Sequence, residues 1–373
     1  MPLLMRKTLS LMKRDHQVVA IIDAPRTAAT RLARLLTTPL VPSDYLDLFS
    51  PLPSPTQLRA RIVEVRPETR DAATLVLKPG RGWRGHVAGQ YVRIGVDIDG
   101  VRQWRAYSLT SPPRPDGTIT ITVKAITDGL VSNFLVRRSR PGLVLQLDQA
   151  TGEFVLPEQR PAKALFLTAG SGITPVMGML RHGLDTLDDA ILLHCAPTRD
   201  EVIFGGELRR LAQTSGLQLI ERHDDSHGML RIEQVAELVP DFVDRETWVC
   251  GPTGLLDAAE AYWSSHGIIE RLRTERFRPT IIVAGDGGTV TFGASDITVD
   301  ADAATPILTA GEAAGVLMPS GCRMGICMGC VVPLREGAVR DLRTGALTTA
   351  EAGDGVKIQT CINAAAGACH IDL

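Results

Sequence analysis

Cys322-Arg323-Met324-Gly325-Ile326-Cys327-Met328-Gly329-Cys330 lies near the C-terminal end of the chain, and a fourth cysteine, Cys361, follows after thirty intervening residues. The spacing is C-x4-C-x2-C with a distant fourth sulfur, the ligand spacing of a plant-type [2Fe–2S] cluster. Two irons need four thiolates that converge from one loop without clashing, and Gly325 and Gly329 let backbone amides turn toward the sulfurs. A zinc site is the competing chemistry, but zinc generally takes paired C-x2-C knuckles and only Cys327 and Cys330 form one. Inert buried cysteines are the plain structural alternative. On the cluster reading Cys322, Cys327, Cys330 and Cys361 are the metal ligands. Cys195, Cys250 and Cys369 fall outside the spacing, and unmatched thiols fit a reducing compartment rather than a disulfide framework.

Outward from this loop, the 373 residues suffice for two or three domains, each with its own core. The apolar runs at Ala164–Ala169 and Ile281–Ala284 are strand-sized, far short of the ~20 residues of a membrane span. Arg6, Lys7, Lys13 and Arg14 break up the apolar start of the chain, so no signal peptide is expected and a cytoplasmic protein is. A net charge of −2 gives no sign of a nucleic-acid partner. That total conceals an asymmetry: residues 280–373 hold ten acidic against five basic side chains, net −5, which leaves +3 on residues 1–279. An acidic module on a mildly basic body suits docking to a basic partner, and equally suits ordinary solvation of a small domain.

Four segments follow. Residues 1–55 form a basic arm, with a helical stretch expected at Ala28–Leu36 for a partner or membrane surface or simply as a surface helix, and end in the linker Pro51-Leu52-Pro53-Ser54-Pro55. Residues 56–157 alternate as short strands, Leu58–Val65, Ala73–Leu77, Tyr91–Val96, Thr118–Lys124 and Leu143–Leu147, with one helix at Leu130–Arg137. Many short strands punctuated by Gly and Pro predict a small antiparallel barrel. Within it stand Arg105-Ala106-Tyr107-Ser108 on a strand and Gly129-Leu130-Val131-Ser132-Asn133-Phe134-Leu135 at a helix start. A guanidinium pairs a phosphate, a phenol ring stacks on a flavin, a hydroxyl bonds a ring nitrogen, and helix-start amides bind phosphate.

Residues 158–277 alternate strand and helix, which predicts a parallel sheet. The strand Lys163–Thr168 runs into Ala169-Gly170-Ser171-Gly172-Ile173-Thr174-Pro175 ahead of a helix at Val176–Arg181, and Trp248-Val249-Cys250-Gly251-Pro252-Thr253-Gly254 repeats the strand-then-glycine-turn pattern. Glycines admit the backbone to a pyrophosphate, and the following helix start adds free amides.

The pairing of R-x-Y-S with G-x-V-S-x-x-L, and the order of all these motifs, resembles the ferredoxin–NADP reductase superfamily, over about Gln57–Leu373. The resemblance implies a multidomain fold: an antiparallel β-barrel flavin domain at 56–157, an α/β parallel-sheet nucleotide domain at 158–277, and an α+β (β-grasp) ferredoxin domain at 280–373. It implies that Arg105 meets the flavin phosphate, Tyr107 the ring or ribityl chain and Ser108 the N5 edge, with Ala106 between them. Gly129, Val131 and Ser132 would meet the pyrophosphate, and Tyr91 would lie beside the flavin. Relatives lacking such a helix start use FMN, so FAD is expected. Gly170, Ser171, Gly172, Thr174, Pro175, Gly251 and Pro252 would bind the nucleotide, and Cys250 would lie near the reactive carbon of nicotinamide, which makes Ser108 and Cys250 the candidate catalytic residues. Phe277, in Glu275-Arg276-Phe277, would approach the flavin, with core packing as the alternative. Thr198 and Arg199, after the strand Ile191–Cys195, favour NADPH through its 2′-phosphate, with Arg222 as a second cation; an arginine in this turn also occurs in NADH-using relatives, so NADH stays open.

Nicotinamide gives two electrons together and the cluster takes them singly, so flavin is the converter. The expected activity is an NAD(P)H-dependent electron-transfer reductase serving a separate oxygen-using metalloenzyme: first a membrane di-iron acyl-CoA or fatty-acid desaturase, alternatively a ring-hydroxylating dioxygenase or alkane hydroxylase. A redox-sensing binding module is the reading from another class.

Overall fold

The computed structural model describes residues 57–98, 100–127, 129–277, 287–321, 323, 325 and 328–373. The arm 1–55, with its helix expectation at Ala28–Leu36, and two of the candidate ligands, Cys322 and Cys327, lie outside them.

The first sheet contains β1 (Arg59–Thr69), β2 (Ala72–Pro79), β3 (Tyr91–Ile98), β4 (Val101–Ser108), β5 (Ile119–Lys124) and β6 (Val144–Leu147) in the order β4-β3-β6-β1-β2-β5. Its ladders are antiparallel throughout. An antiparallel bridge between Leu109 and Ile121 brings the two edges together and closes the sheet into a barrel. Closure leaves β-branched and leucine side chains inside: Ile62, Leu75, Leu77, Ile94, Leu109, Ile119 and Ile121 are all fully buried. Each is worth ~1.5–3 kcal/mol of transfer free energy, so these seven side chains alone rival the net stability of a domain. Helix α1 (Leu130–Arg137) tucks Val131 and Leu135 into the same core.

The second sheet is parallel: β7 (Lys163–Ala169), β8 (Asp189–Ala196), β9 (Gln218–His223), β10 (Glu246–Cys250) and β11 (Leu272–Glu275), in the order β11-β10-β7-β8-β9. The chain starts at the centre, winds outward through β8 and β9, then returns to the other side of β7. The strand order therefore reverses between β7 and β10, and ligands of doubly wound sheets bind beyond the C-terminal strand ends at that point. Successive β7 residues serve opposite cores: Phe166 packs under α2 (Ile173–Gly183), while Leu165 and Leu167 face the core containing Trp263 of α4 (Thr253–Ser265). Between them α3 (Gly205–Thr214) covers the β8–β9 side. Helix α2 begins three residues before the expected Val176, because Pro175 is compatible with a first helical turn, where its missing N–H costs nothing.

The third sheet is mixed, with β12 (Gly288–Phe292), β13 (Ile297–Ala301), β14 (Val331–Asp341), β15 (Leu347–Ala350) and β17 (Asn363–Ile371) in the order β13-β12-β17-β14-β15, while β16 (Lys357–Gln359) pairs with β14. β12 and β17 run parallel and the other ladders antiparallel. Helix α5 (Ile307–Ala313) packs Ile307 and Leu308 against this sheet, giving the expected α+β module. Among the described residues no helix is long and apolar enough to cross a membrane.

Candidate active site

The two glycine turns of the parallel sheet meet at its switch point. Gly172, buried in the 3-10 turn Gly170–Gly172 after β7, lies so close to the Cys250 carbonyl that a Cβ there would overlap it. A Cβ on Gly251 would fall 3.2 Å from that of Ala169. Gly170 differs: its φ is +55° with nothing in reach of an added Cβ, so its backbone conformation alone selects glycine. Thr174 turns its hydroxyl back to the Ser171 carbonyl at 2.9 Å, and Pro175 is buried beside it. Thus Gly170, Ser171, Gly172, Thr174, Cys250, Gly251 and Pro252 converge on one edge of the sheet.

The barrel approaches this edge closely. The Leu109 carbonyl, one residue after Ser108, rests where a side chain of Gly178 in α2 would be, and Gly89 is pressed against Phe154 and Met179 with φ +100°. Arg181 of α2 donates to the Thr110 carbonyl at 2.6 Å while Glu207 holds its other face at 2.6 and 2.9 Å. Ser108, 4% exposed, reaches the carboxylate of Glu275 at 3.5 Å across the two units. Glu275 is in turn the register partner of Cys250 on the neighbouring strand. Burial raises the Glu275 carboxyl to about 8 and holds the Cys250 thiol well above its ordinary range, with the nearby Glu275 charge pushing the thiol the same way. Ser108 and Cys250, both buried, and the half-buried Glu275 therefore form a sheltered, largely uncharged cluster at neutral pH. Glu275 was not among the sequence candidates. The available signal was its place at the end of the last strand, in register with Cys250, and register is invisible before the strands are paired.

Along β4 the remaining candidates separate by role. Arg105, half-buried, donates to the Trp104 carbonyl at 2.7 Å. Desolvation, aided by the positive charge of Arg323, pulls its guanidinium down to about 10. A sheltered cation that no salt bridge among the described residues engages is a fit for a phosphate anion. Tyr107 packs against the barrel core, where burial lifts its phenol far above the usual range. Ala106 alternates with it on β4, and Tyr91 pairs with Ser108 across the β3–β4 ladder. The Tyr91 ring lies against Gly152, whose added Cβ would fall 3.1 Å away. At α1, Val131 is core and the Ser132 hydroxyl serves the turn itself, donating to the Gly129 carbonyl at 3.1 Å. Their backbone amides are the groups left over at a helix start. Gly129 is needed because a Cβ would collide with Ile126 and Ser132, and a cavity of about 360 Å³ opens there, lined by Ile98, Gly129, Leu130, Asn133 and Phe134. Phe277 packs against the nucleotide-domain core.

After β8, Thr198 opens a tight turn whose hydroxyl reaches Glu201 at 3.4 Å, and Arg199 is exposed. Arg222, at the end of adjacent β9, donates to the His227 carbonyl at 3.1 Å and buries its Nε without a partner. In the third unit Cys330 and Cys361 are both buried. Thr360 ties their segments together, its amide and hydroxyl both donating to the Cys330 carbonyl at 3.2 and 3.1 Å. Gly325 at φ +76° accepts from Gln359 at 3.0 Å, and Arg323 and Met328 adopt left-handed backbone without being glycine. Two buried cysteines on segments tied by Thr360, beside a tightly wound loop, fit ligation of an iron–sulfur group.

A closed antiparallel barrel facing the switch point of a parallel sheet, followed by a cysteine-loop module, defines a flavin- and nicotinamide-dependent oxidoreductase with an iron–sulfur centre. Family models agree: an oxidoreductase FAD-binding domain matches residues 60–156, an oxidoreductase NAD-binding domain 166–261 and a 2Fe-2S iron-sulfur cluster binding domain 290–366. The chain belongs to the ferredoxin–NADP reductase superfamily, in its branch with a C-terminal [2Fe–2S] domain. It is similar to an NADPH oxidoreductase of Mycobacterium tuberculosis, 48% identical over 93% of this chain and 92% of the relative. A glycine betaine monooxygenase reductase subunit of Pseudomonas aeruginosa is 29% identical over 73% of this chain and 83% of its own length. Phthalate dioxygenase reductase shares the fold with TM-score 0.61 and 22% identity, over 85% of this chain and 98% of that structure. The protein is accordingly an NAD(P)H-dependent flavin and iron–sulfur reductase.

Proposed function

We propose that electrons pass from NADPH through FAD and the [2Fe–2S] cluster to a separate oxygen-using metalloenzyme. The observation that carries this is the convergence of Ser108, on the barrel, with Cys250 and Glu275, on the parallel sheet, at the strand-order switch point. When bound, FAD would supply the conversion between two-electron hydride chemistry and single-electron transfer. Arg105 and the α1 amides hold the phosphates, Tyr91 and Tyr107 flank the flavin, and Ser108 orients its reactive edge. Gly170, Ser171, Gly172, Thr174, Pro175, Gly251 and Pro252 seat the nucleotide so that Cys250 packs beside the nicotinamide. Glu275 keeps a proton on its carboxyl facing Ser108 and so keeps this pocket uncharged. Cys322, Cys327, Cys330 and Cys361 ligate the cluster. The site works chiefly by orientation and exclusion of water.

Thr198, Arg199 and Arg222 favour NADPH, a reading supported by the NADPH named in the description of the 48%-identical relative. For the acceptor, relatives described as reductase components of monooxygenases support an oxygenase, while a membrane di-iron desaturase remains the other acceptor of the same electron demand. Replacing Cys330 by Ser tests the series arrangement. Flavin bleaching by NADPH in stopped flow should persist while cytochrome c reduction falls at least tenfold; loss of both together would reject it.

A further inference from the structure

The two-residue turn between β1 and β2 presents Arg70 toward the nucleotide unit, and Arg70 Nη2 lies 2.8 Å from Glu201 Oε1. The turn is firm: Asp71 accepts from Thr69 at 2.8 Å and from Lys124 at 3.2 Å, and its carbonyl accepts from the Ala125 amide. Arg70 itself is 82% exposed, whereas the Glu201 side chain is only 12% exposed. The other Glu201 oxygen accepts from the Thr198 hydroxyl at 3.4 Å, and the Glu201 amide donates to the Thr198 carbonyl at 3.2 Å. Glu201 thus belongs to the very turn that carries Thr198 and Arg199. A carboxylate there opposes a 2′-phosphate dianion, but scarcely affects a nucleotide that ends in a 2′-hydroxyl.

We propose that Arg70, on the flavin barrel, is a positioning residue for nucleotide choice: by neutralising and holding Glu201 it makes the Thr198–Arg199 turn acceptable to the 2′-phosphate of NADPH. This rests on the assignment of Thr198 and Arg199 to that phosphate. The nucleotide-specificity turn is then completed by a side chain from the other domain. Because Arg70 is exposed, the effect is modest and screened by salt. A bare unit charge about 8 Å from a dianion in water changes affinity by roughly sixfold at low ionic strength and about twofold at 0.15 M.

The test compares wild-type holoenzyme with Arg70→Ala, Arg70→Lys, Glu201→Gln and the Arg70→Ala/Glu201→Gln pair, reading KM for NADPH and for NADH with ferricyanide as acceptor. At about 10 mM ionic strength Arg70→Ala should raise the NADPH-to-NADH KM ratio roughly three- to sixfold, and Arg70→Lys should restore it to within about twofold. The effect should shrink at about 0.5 M salt and vanish in the Glu201→Gln background. Equal changes for both nucleotides, or an effect that survives in that background, would overturn the proposal. Arg199→Ala separates the two layers. If it leaves the ratio unchanged, the phosphate assignment falls and this proposal with it; if it moves the ratio and Arg70→Ala does not, only the role of Arg70 is rejected.

Discussion

Glu275 carries a charge question that decides the chemistry around it. Its carboxyl, half-buried beside Ser108 and Cys250, is raised by desolvation to about 8 from an ordinary 4.5. The folded value lies above the unfolded one, so the contribution to stability is full below pH 4.5 and is lost progressively as pH rises to about 8. At pH 7 the group is mostly protonated in the native protein. Glu275→Gln retains the shape and the neutral state, and should therefore flatten two pH dependences. The fall in unfolding free energy between pH 5 and 8, expected at roughly 2–4 kcal/mol in the wild type, should largely disappear in denaturant titrations. The rate of flavin bleaching by NADPH should lose a descending limb centred near pH 8. A limb that persists unchanged in the Gln variant would assign it to another group.

At the scale of elements, α2 and the 3-10 turn before it use two kinds of glycine. Gly172 and Gly178 are small because neighbouring backbone occupies the space of a side chain: the Cys250 carbonyl at the first, the Leu109 carbonyl at the second. Gly170 is glycine for its left-handed φ, with open space around it. The two kinds of constraint differ in cost. Gly170→Ala should destabilise by about 1–2 kcal/mol, the price of left-handed backbone. Gly172→Ala forces β7 and β10 apart at the switch point, costing about 1–3 kcal/mol, and should weaken NADPH binding at least tenfold with FAD content unchanged. Thermal melts and nucleotide titrations of the two variants check the contrast: similar nucleotide affinities would mean that the closeness of the two turns does not shape the site.

Across the whole molecule the acidic third unit stands against a mildly basic remainder. The charges nearest the flavin unit run against that overall sign: Arg323 of the cysteine loop, paired with Glu312 of its own unit, sits near enough to Arg105 for their like charges to lower the Arg105 pKa. The exposed carboxylates of the third unit include Asp300, Glu336, Glu351 and Asp354. Asp341 is unsuited to that role, because it accepts from the Arg343 and Thr344 amides and from the Arg343 guanidinium to build a turn. If this acidic surface docks a basic acceptor, Asp300→Lys with Glu336→Lys should slow electron delivery to the physiological acceptor severalfold and spare ferricyanide reduction, with the wild-type rate falling as the Debye length drops below about 8 Å. Rates indifferent to both changes would make the acidity solvation alone.

Short-range patterns carried most of the architecture. Alternating apolar residues separated by Gly and Pro marked the barrel strands, one helical piece stood out at Leu130–Arg137, and four cysteines at fixed spacing named the third unit, because each depends on neighbours along the chain. Spacing also singled out Gly170, Gly172, Cys250 and Gly251, since glycine turns after strands have a local signature. Glu275, Arg70 and Glu201 had none. Their importance arises from contacts such as Ser108 with Glu275, 167 residues apart, and Arg70 with Glu201, 131 residues apart, which exist only once a barrel and a parallel sheet are packed edge to edge. A charge in a sequence reveals its sign, whereas its burial, and therefore its protonation and its partners, are properties of the space that folding encloses.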